Sequence, residues 1–568
     1  MGRTCDLWGE TMTESVFAVA RGKAFGMGRF TAFVIACFAL LMLVVAPVAD
    51  ASKSPTKVLA DGTERTTYTV GPLDVTPGQN RIAYRPVLNS ERPSVDGWIT
   101  GIKPNLVRAD GSIPLSSKIM FHHGVWLNMA RDDATSPGFP ERFFATGEEK
   151  TRMILPDGYG YRYLKSEGWL LNHMLHNLTP EPMELYVTYT IDFIPDTAPE
   201  AADMTAVRPI WMDVENGNNY PVFDVHRGEG GKDGKFVYPD DAENPYPAGV
   251  QKNEWTVDRD GVLIGTTGHV HTGGLATDLF LKRDGAKYAG PRCKKPNNSS
   301  RKAAKRYRKC LKKMPKVKGN RVHLFKSGAH YFEPAGPVSW DVAMISTRPN
   351  WKVAVKAGDT LEMNTTYETK LASWYESMGI NVTYMADEAG GRNPYRTKVD
   401  TPGIINHGHY SENNDHGGKK PLVGPDPRKL PNGVASGGPF EIADFSYGAG
   451  NFVLPGEFGR PPTVKKGQTF TFNMGAGDVS QEIWHSLTSC KSPCNKSTGI
   501  AYPIADGEFQ FDSGQMGTGG APTVNRTTWT TPKNLPVGTH TFFCRVHPLM
   551  RGAIRVVDPN GRKGSSKS

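Results

Sequence analysis

Apolar and polar residues alternate over Thr66 to Val70 and again over Glu184 to Phe193 (ELYVTYTIDF), the period of strands buried on one face. In WTVDRDGVLIGTTGHVHTGG an Asp-Gly turn separates two apolar alternations, which predicts a hairpin. Towards the C-terminus, HTFFCRVHPLMRGAIRVV predicts a strand over His540 to Phe543, a second over Ala553 to Val557, and a loop from Cys544 to Met550 between them. Stretches at helical period are few, and 62 Gly and 43 Pro supply the turns that short strands need. The expected class is all-β, and 568 residues exceed what one core can organise.

The N-terminal pattern differs. Arg21, Lys23 and Arg29 precede the apolar run Phe30 to Val48, and Ala49-Asp50-Ala51 fits the small-x-small cleavage rule. Residues 1–51 therefore read as an export signal, with the mature chain starting at Ser52. If uncleaved, the run is nearly long enough to anchor in a bilayer. Both readings place the body outside the cytoplasm, whether secreted, periplasmic or in the cell envelope. Residues 389–436, rich in Gly, Pro, Asn and charge, read as a linker, and 561–568 as a polar tail.

The net charge of +10 is concentrated in one place. Between Lys282 and Arg321 stand 17 Lys and Arg against the single Asp284, which predicts an exposed basic insert able to contact an anionic surface. Only Tyr288 and Tyr307 accompany it, too thin a stacking platform for single-stranded nucleic acid.

Of the seven cysteines, Cys5 and Cys37 fall in the export segment. Cys293 and Cys310 lie within the basic insert, and Cys490 and Cys494 share one loop, so two local disulfides are expected in an oxidising compartment. The second pair reads as a structural staple more readily than as a redox switch. Cys544 is left over. It shares a short loop with His547 and Met550, and His485 in QEIWHSLTSC ends an earlier alternating strand. Thiolate, thioether and two imidazoles form the ligand set of a blue-copper site, although each residue alone has an ordinary structural reading. The run Cys-x-x-His-Pro-x-Met-x-Gly resembles the ligand loop of amicyanin and of plastocyanin-type cupredoxins. The resemblance implies a Greek-key β-sandwich over 437–560, with equatorial His485, Cys544 and His547, axial Met550, and transfer of single electrons.

Upstream stand His122-His123 in KIMFHHGVWLN, His176, His269-Val270-His271 in TTGHVHTGG, and Met378 in SWYESMGINVTYM. On a strand, His-x-His places two imidazoles on one face. Adjacent histidines chelate only where a bend or bulge turns both rings inward. The order HH, H, HxH, M resembles copper monooxygenases such as peptidylglycine alpha-hydroxylating monooxygenase and dopamine beta-hydroxylase. That resemblance implies two jelly-roll-like sandwiches, over 52–205 and 206–388. It implies an electron-transfer copper on His122, His123 and His176, and a catalytic, oxygen-activating copper on His269, His271 and Met378. Three positions depart from the family: its substrate-anchoring Arg is Thr267 here, and its anchoring Asn and Tyr fall on Ile380 and Val382. A peptide carboxylate is therefore not the expected substrate. His173, His407, His409 and His416 read as surface or linker residues.

The function these features imply is that of an exported copper redox protein. Its type 1 domain would be supplied by a redox partner protein or small reductant, and would feed a dicopper module that uses O2 and a small-molecule substrate. The alternative is a non-catalytic electron-transfer protein whose sandwiches bind a partner or the cell envelope. A multicopper oxidase is disfavoured by the absence of a His-Cys-His triplet, and a nitrite reductase because only the last domain is cupredoxin-like.

Overall fold

The computed structural model describes residues 53–559 apart from 333–340, 407–424, 449–458, 495–509, 519–525 and a few isolated positions. The export segment with Cys5 and Cys37, the tail 561–568, and His407, His409 and His416 lie outside the described residues. The chain is all-β, built from packed sheets in three successive units. No described helix is long and apolar enough to cross a membrane.

In the first unit one layer runs in the order Lys57–Val58, Glu64–Val75, Met183–Pro195, Gly97–Val107, Tyr159–Tyr163. The alternation expected for Met183–Pro195 is present: Leu185, Val187, Tyr189, Ile191 and Phe193 are buried. They face a second, antiparallel layer ordered Ile82–Val87, Trp169–Asn177, Ile119–Asp132, Pro140–Thr146. Trp126 of that layer meets Tyr189 with ring centroids 5.3 Å apart. Along Ile119–Asp132 and Trp169–Asn177 both faces are buried around His122, His123 and His176, because the other two units cover the outer side there.

The second unit is joined to the first by continuous hydrogen bonding. Thr205–Asp213 pairs in parallel with Tyr159–Tyr163 and antiparallel with Gly379–Ala386, which pairs in turn with Gly261–Val270. The boundary expected between 205 and 206 thus falls at the start of a strand that both units share. Opposite lies a sheet centred on Thr360–Glu368 and Gly274–Lys282, and Leu279, Leu324, Phe325, Trp351 and Met363 fill the space between.

Two expectations need correcting and a third needs refining. Glu254–Thr256 and Gly261–Val270 do not form a hairpin, because the first pairs with Thr360–Glu368 and the second with Val353–Val355 and Gly379–Ala386. Val262, Leu263 and Ile264 are all buried, so this is a central strand covered on both faces. The linker begins later than 389: Tyr395 and Val399 are buried, Trp351 donates to the Val399 carbonyl at 3.1 Å, and Ile404–Asn406 pairs with Val342–Ser346. The basic insert is closed by the Cys293–Cys310 disulfide, as expected, but carries a helix, Arg301–Leu311, with no buried residue. Its Arg, Lys and Ala are strong helix formers.

The third unit packs Phe440–Ile442, Thr471–Met474 and Thr528–Thr530 against Thr463–Lys465, Arg551–Val557, Gly538–Phe543 and Thr488–Cys490. The two strands expected around Cys544 are present, and their register pairs Phe543 with Arg551, closing the loop between. Cys490 and Cys494 are disulfide-bonded, leaving Cys544 as the free thiol among the described residues. Fully buried Phe542 is ringed by Tyr447 at 4.8 Å and Phe472 at 5.8 Å. Phe542→Ala should lower the stability of this unit by about 3–5 kcal/mol in denaturant titration. A loss under about 1 kcal/mol would show that this ring does not organise the core.

Candidate metal centres

Cys544, His547 and Met550 lie on the tight loop after Gly538–Phe543, which is closed by Cys544 N–H donating to the Met550 carbonyl at 3.1 Å and Met550 N–H to the His547 carbonyl at 2.9 Å. The Cys544 Sγ lies 3.9 Å from His485 Nδ1 and 4.0 Å from His547 Nδ1, and the two nitrogens are 3.3 Å apart. A metal at about 2.0 Å from nitrogen and about 2.3 Å from sulfur in a trigonal plane needs edges of about 3.7 Å and about 3.5 Å. The observed triangle fits within a few tenths of an ångström. Met550, 2% exposed, completes the loop.

The surroundings favour a thiolate. Backbone N–H groups of Ser486 and His547 donate to Sγ at 3.3 and 3.2 Å. Burial pushes the Cys544 thiol up, but His485 and these two N–H groups outweigh it and hold it below its ordinary value. His485 Nε2 meets the buried Asp478 carboxylate at 2.9 Å, which fixes the ring with Nδ1 toward the sulfur, an orienting device common at metal sites. Asp478 sits on the short helix Ala476–Ser480 and carries no sequence signal beyond its distance of seven residues from His485.

The five histidines singled out upstream also converge, though not in the two separate sets the monooxygenase resemblance implies. The register of Ile119–Asp132 against Trp169–Asn177 shifts between Phe121 and His123. This is the bulge that adjacent histidines require, and it leaves His122 Nδ1 and His123 Nδ1 3.4 Å apart. His122 of the first unit then stacks edge-on against His271 of the second, with centroids 4.3 Å apart, and His271 lies 5.1 Å from His269. His176 stands 6.4 Å from His122 on one side and 5.9 Å from His547 on the other. Met378 is buried in the adjoining apolar core. Its backbone is tied to that of His271 through the Tyr367 hydroxyl, which accepts from the N–H groups of both.

A turn at Gly147–Lys150 orients both histidine pairs, and the sequence patterns did not flag it. Glu148 accepts from Phe121 N–H at 2.7 Å, holding the bulge, while Glu149 meets His269 Nδ1 at 3.1 Å. The His269 ring lies so close to Gly147 that a Cβ there would sit 2.5 Å from its Cε1. His271 Nδ1–H donates to the Glu376 carbonyl at 2.5 Å. Both rings of the His-x-His pair are thereby held by Nδ1, and His269 Nε2 is buried without a hydrogen-bond partner, as is His176 Nε2. Burial pushes His123 and His176 down to about 3, and His122 and His271 well below the ordinary imidazole value. All are neutral, the form that binds metals. His173, expected at the surface, is 6% exposed and pushed down by burial to about 4, because its strand is the second from the edge of the inner layer.

A cavity of about 60 Å³ lies where the three units meet, lined by Asn80, His122 and His176 of the first, His271, Trp374 and Glu376 of the second, and Gln515 and Arg545 of the third, among others. The third unit is held there by Gln515 Nε2 donating to Glu376 at 2.9 Å, Tyr375 hydroxyl to Asp512 at 3.0 Å, and Arg545 over the Trp374 ring at 5.1 Å. Among the described residues, His485, Cys544 and His547 form the group of three whose ligand atoms all lie within 4.8 Å of one another.

No protein-family model matches the chain, and no curated protein matches it. Among solved structures, the major capsid protein P2 from bacteriophage PM2 is similar at 10% identity, over 58% of this chain and 100% of that chain, with a TM-score of 0.19. The infectious bursal disease virus VP2 subviral particle is similar at 11% identity, over 64% and 80%, with a TM-score of 0.13. At these scores neither likeness bears on fold or function.

Burial pushes the Glu148 carboxyl up from its ordinary 4.5 to about 7. The folded chain therefore keeps a proton there that the unfolded chain releases, and its stabilising effect, complete below about pH 4.5, is lost as pH rises through 7. Glu148→Gln should flatten the decline in stability between pH 5 and pH 8, followed by chemical denaturation at each pH. An unchanged slope would show that this carboxyl ionises normally.

Proposed function

We propose that the chain is a copper-dependent oxidoreductase in which a cupredoxin-type centre at His485, Cys544, His547 and Met550 exchanges electrons with a histidine-rich second centre at the junction of the two N-terminal sandwiches. The observation that carries this reading is the 5.9 Å approach of His547, a ligand in the thiolate triangle, to His176, itself next to His122. Copper, when bound, supplies a one-electron couple. The chain's own residues do the rest. Asp478 and the Ser486 and His547 N–H groups hold the donors in place, so little rearrangement accompanies a change of charge. Phe445, 4.8 Å from the His547 ring, screens that edge from water. Gly78, with φ of +63° and no Cβ to strike Ile483, lets the first unit close on the third.

With copper bound, the Cys544 centre would take electrons from a redox partner protein or a small reductant, and His547 and His176 would lie on the way toward His122. The second centre would serve O2-dependent, monooxygenase-like chemistry, the reading that the order of its histidine motifs in the sequence suggests. Two disulfides and an unpaired, protected thiol support an extracytoplasmic setting.

Copper-loaded full-length protein should show the intense visible absorption of a copper–thiolate bond, and Cys544→Ser should abolish it. His176→Ala should keep the band while slowing reoxidation of the reduced thiolate centre at least about tenfold in stopped-flow measurements, because it widens the gap to His122. A colourless loaded protein, or a band that survives Cys544→Ser, contradicts the proposal.

A further inference from the structure

We infer that the disulfide-closed basic insert is a docking arm for a linear acidic polysaccharide, placed so that binding leaves the candidate metal centres uncovered. The helix Arg301–Leu311 carries Arg301, Lys302, Lys305, Arg306, Arg308 and Lys309, and Lys312 and Lys313 follow directly. At 3.6 residues per turn the six helical cations fall on one face about 160° wide and about 15 Å long. All eight side chains are exposed, and no carboxylate among the described residues pairs with them. The sequence holds no acidic residue between Asp284 and Glu333. The cations at the base of the insert are different. Lys282 is neutralised by Glu254 and Glu362, Arg283 by Asp359, and Arg321 by Glu362.

This charge works against the helix that displays it. Arg301 and Lys305, Lys302 and Arg306, and Lys305 and Lys309 are like-charge pairs four residues apart, a spacing at which repulsion destabilises a helix. The first turn holds Arg301 and Lys302 with no acidic residue and no side-chain cap, the wrong sign for the partial positive charge at that end. No packing offsets the cost, because no residue of the helix is buried. The Cys293–Cys310 disulfide ties the helix to its own loop. A bound polyanion relieves the repulsion.

The class of partner follows from what accompanies the charges. A helix that binds a bilayer inserts Trp, Phe or Leu from its opposite face. Here that face is Ala303, Ala304, Tyr307, Cys310 and Leu311; the first three are partly covered and Cys310 is held in the disulfide. Five of the eight cations are Lys, a residue depleted from protein–protein interfaces. What remains is a curved cationic face that a flexible anionic chain can follow. Its place in the fold separates it from electron delivery. The strand Gly274–Lys282 starts beside His271, whose carbonyl accepts from Gly274 N–H at 2.9 Å. It ends about 26 Å away, where the insert leaves the sheet.

The test is titration calorimetry of the full-length chain with heparin, a linear acidic polysaccharide, at about 150 mM salt. Binding is expected, and it should weaken about hundredfold between about 50 and about 200 mM salt, as counterion release from about five contacts requires. The double variant Lys305→Glu, Arg306→Glu should bind at least about tenfold more weakly. Its thermal stability should stay equal or rise, because all three like-charge pairs become opposite-charge pairs. Absence of binding, affinity that survives the double variant, or stability that falls along with affinity would overturn the proposal. So would tighter binding, at the same salt, to vesicles of phosphatidylglycerol and phosphatidylcholine or to duplex DNA than to heparin.

Discussion

Removing imidazole rings from water is the constraint on which the rest of this molecule turns. His122, His123, His176, His271, His485 and His547 are each at most 8% exposed. Contacts between units help to bury some of them: His122 meets His271 of the second unit, and His176 meets His547 of the third. Desolvation keeps the first four neutral, and a neutral imidazole held by one nitrogen presents a lone pair at the other. Buried lone pairs without partners are costly in an apolar interior. His485 is the exception that fits the same logic. The Asp478 carboxylate and the Cys544 sulfur reverse the effect of burial and push it up to about 9.

The geometry that brings these rings together is set by continuous backbone pairing. Because Thr205–Asp213 bonds to both Tyr159–Tyr163 and Gly379–Ala386, the first and second sandwiches cannot turn independently without breaking a sheet. The two histidine pairs are therefore held face to face, whereas an open cleft would separate them. The turn at Gly147–Lys150 then acts on both pairs at once, through Glu148 on the bulge and Glu149 on His269. The third sandwich is attached differently, by side-chain contacts such as Gln515 to Glu376 and Arg545 over Trp374. It is the unit whose separation would open the cavity.

What could be read in advance was what is local in the chain. The Cys544 loop and its two strands lie within one short stretch, so spacing alone placed them. The two disulfides followed from proximity in sequence. The His-His and His-x-His pairs were visible as motifs, and the need for a bulge at the first could be stated from strand geometry. Their partners could not. Glu149 lies 120 residues from His269 and Glu148 27 from Phe121, and nothing in a run of ordinary carboxylates marks such contacts. His173 was misjudged because it was grouped with the linker histidines, although it stands in the apolar run Trp169–Leu175, on a strand inside the inner layer. The 254–270 segment misled because an Asp-Gly turn can pass from one sheet to another as readily as it can close a hairpin.

Copper K-edge X-ray absorption on the reconstituted full-length protein tests the central claim most directly, because it reads the atoms bound to the metal. The account predicts one short copper–sulfur distance together with imidazole nitrogen shells, the sulfur contribution vanishing when Cys544 is replaced by Ser. A spectrum with only nitrogen and oxygen neighbours in the wild-type protein would contradict it.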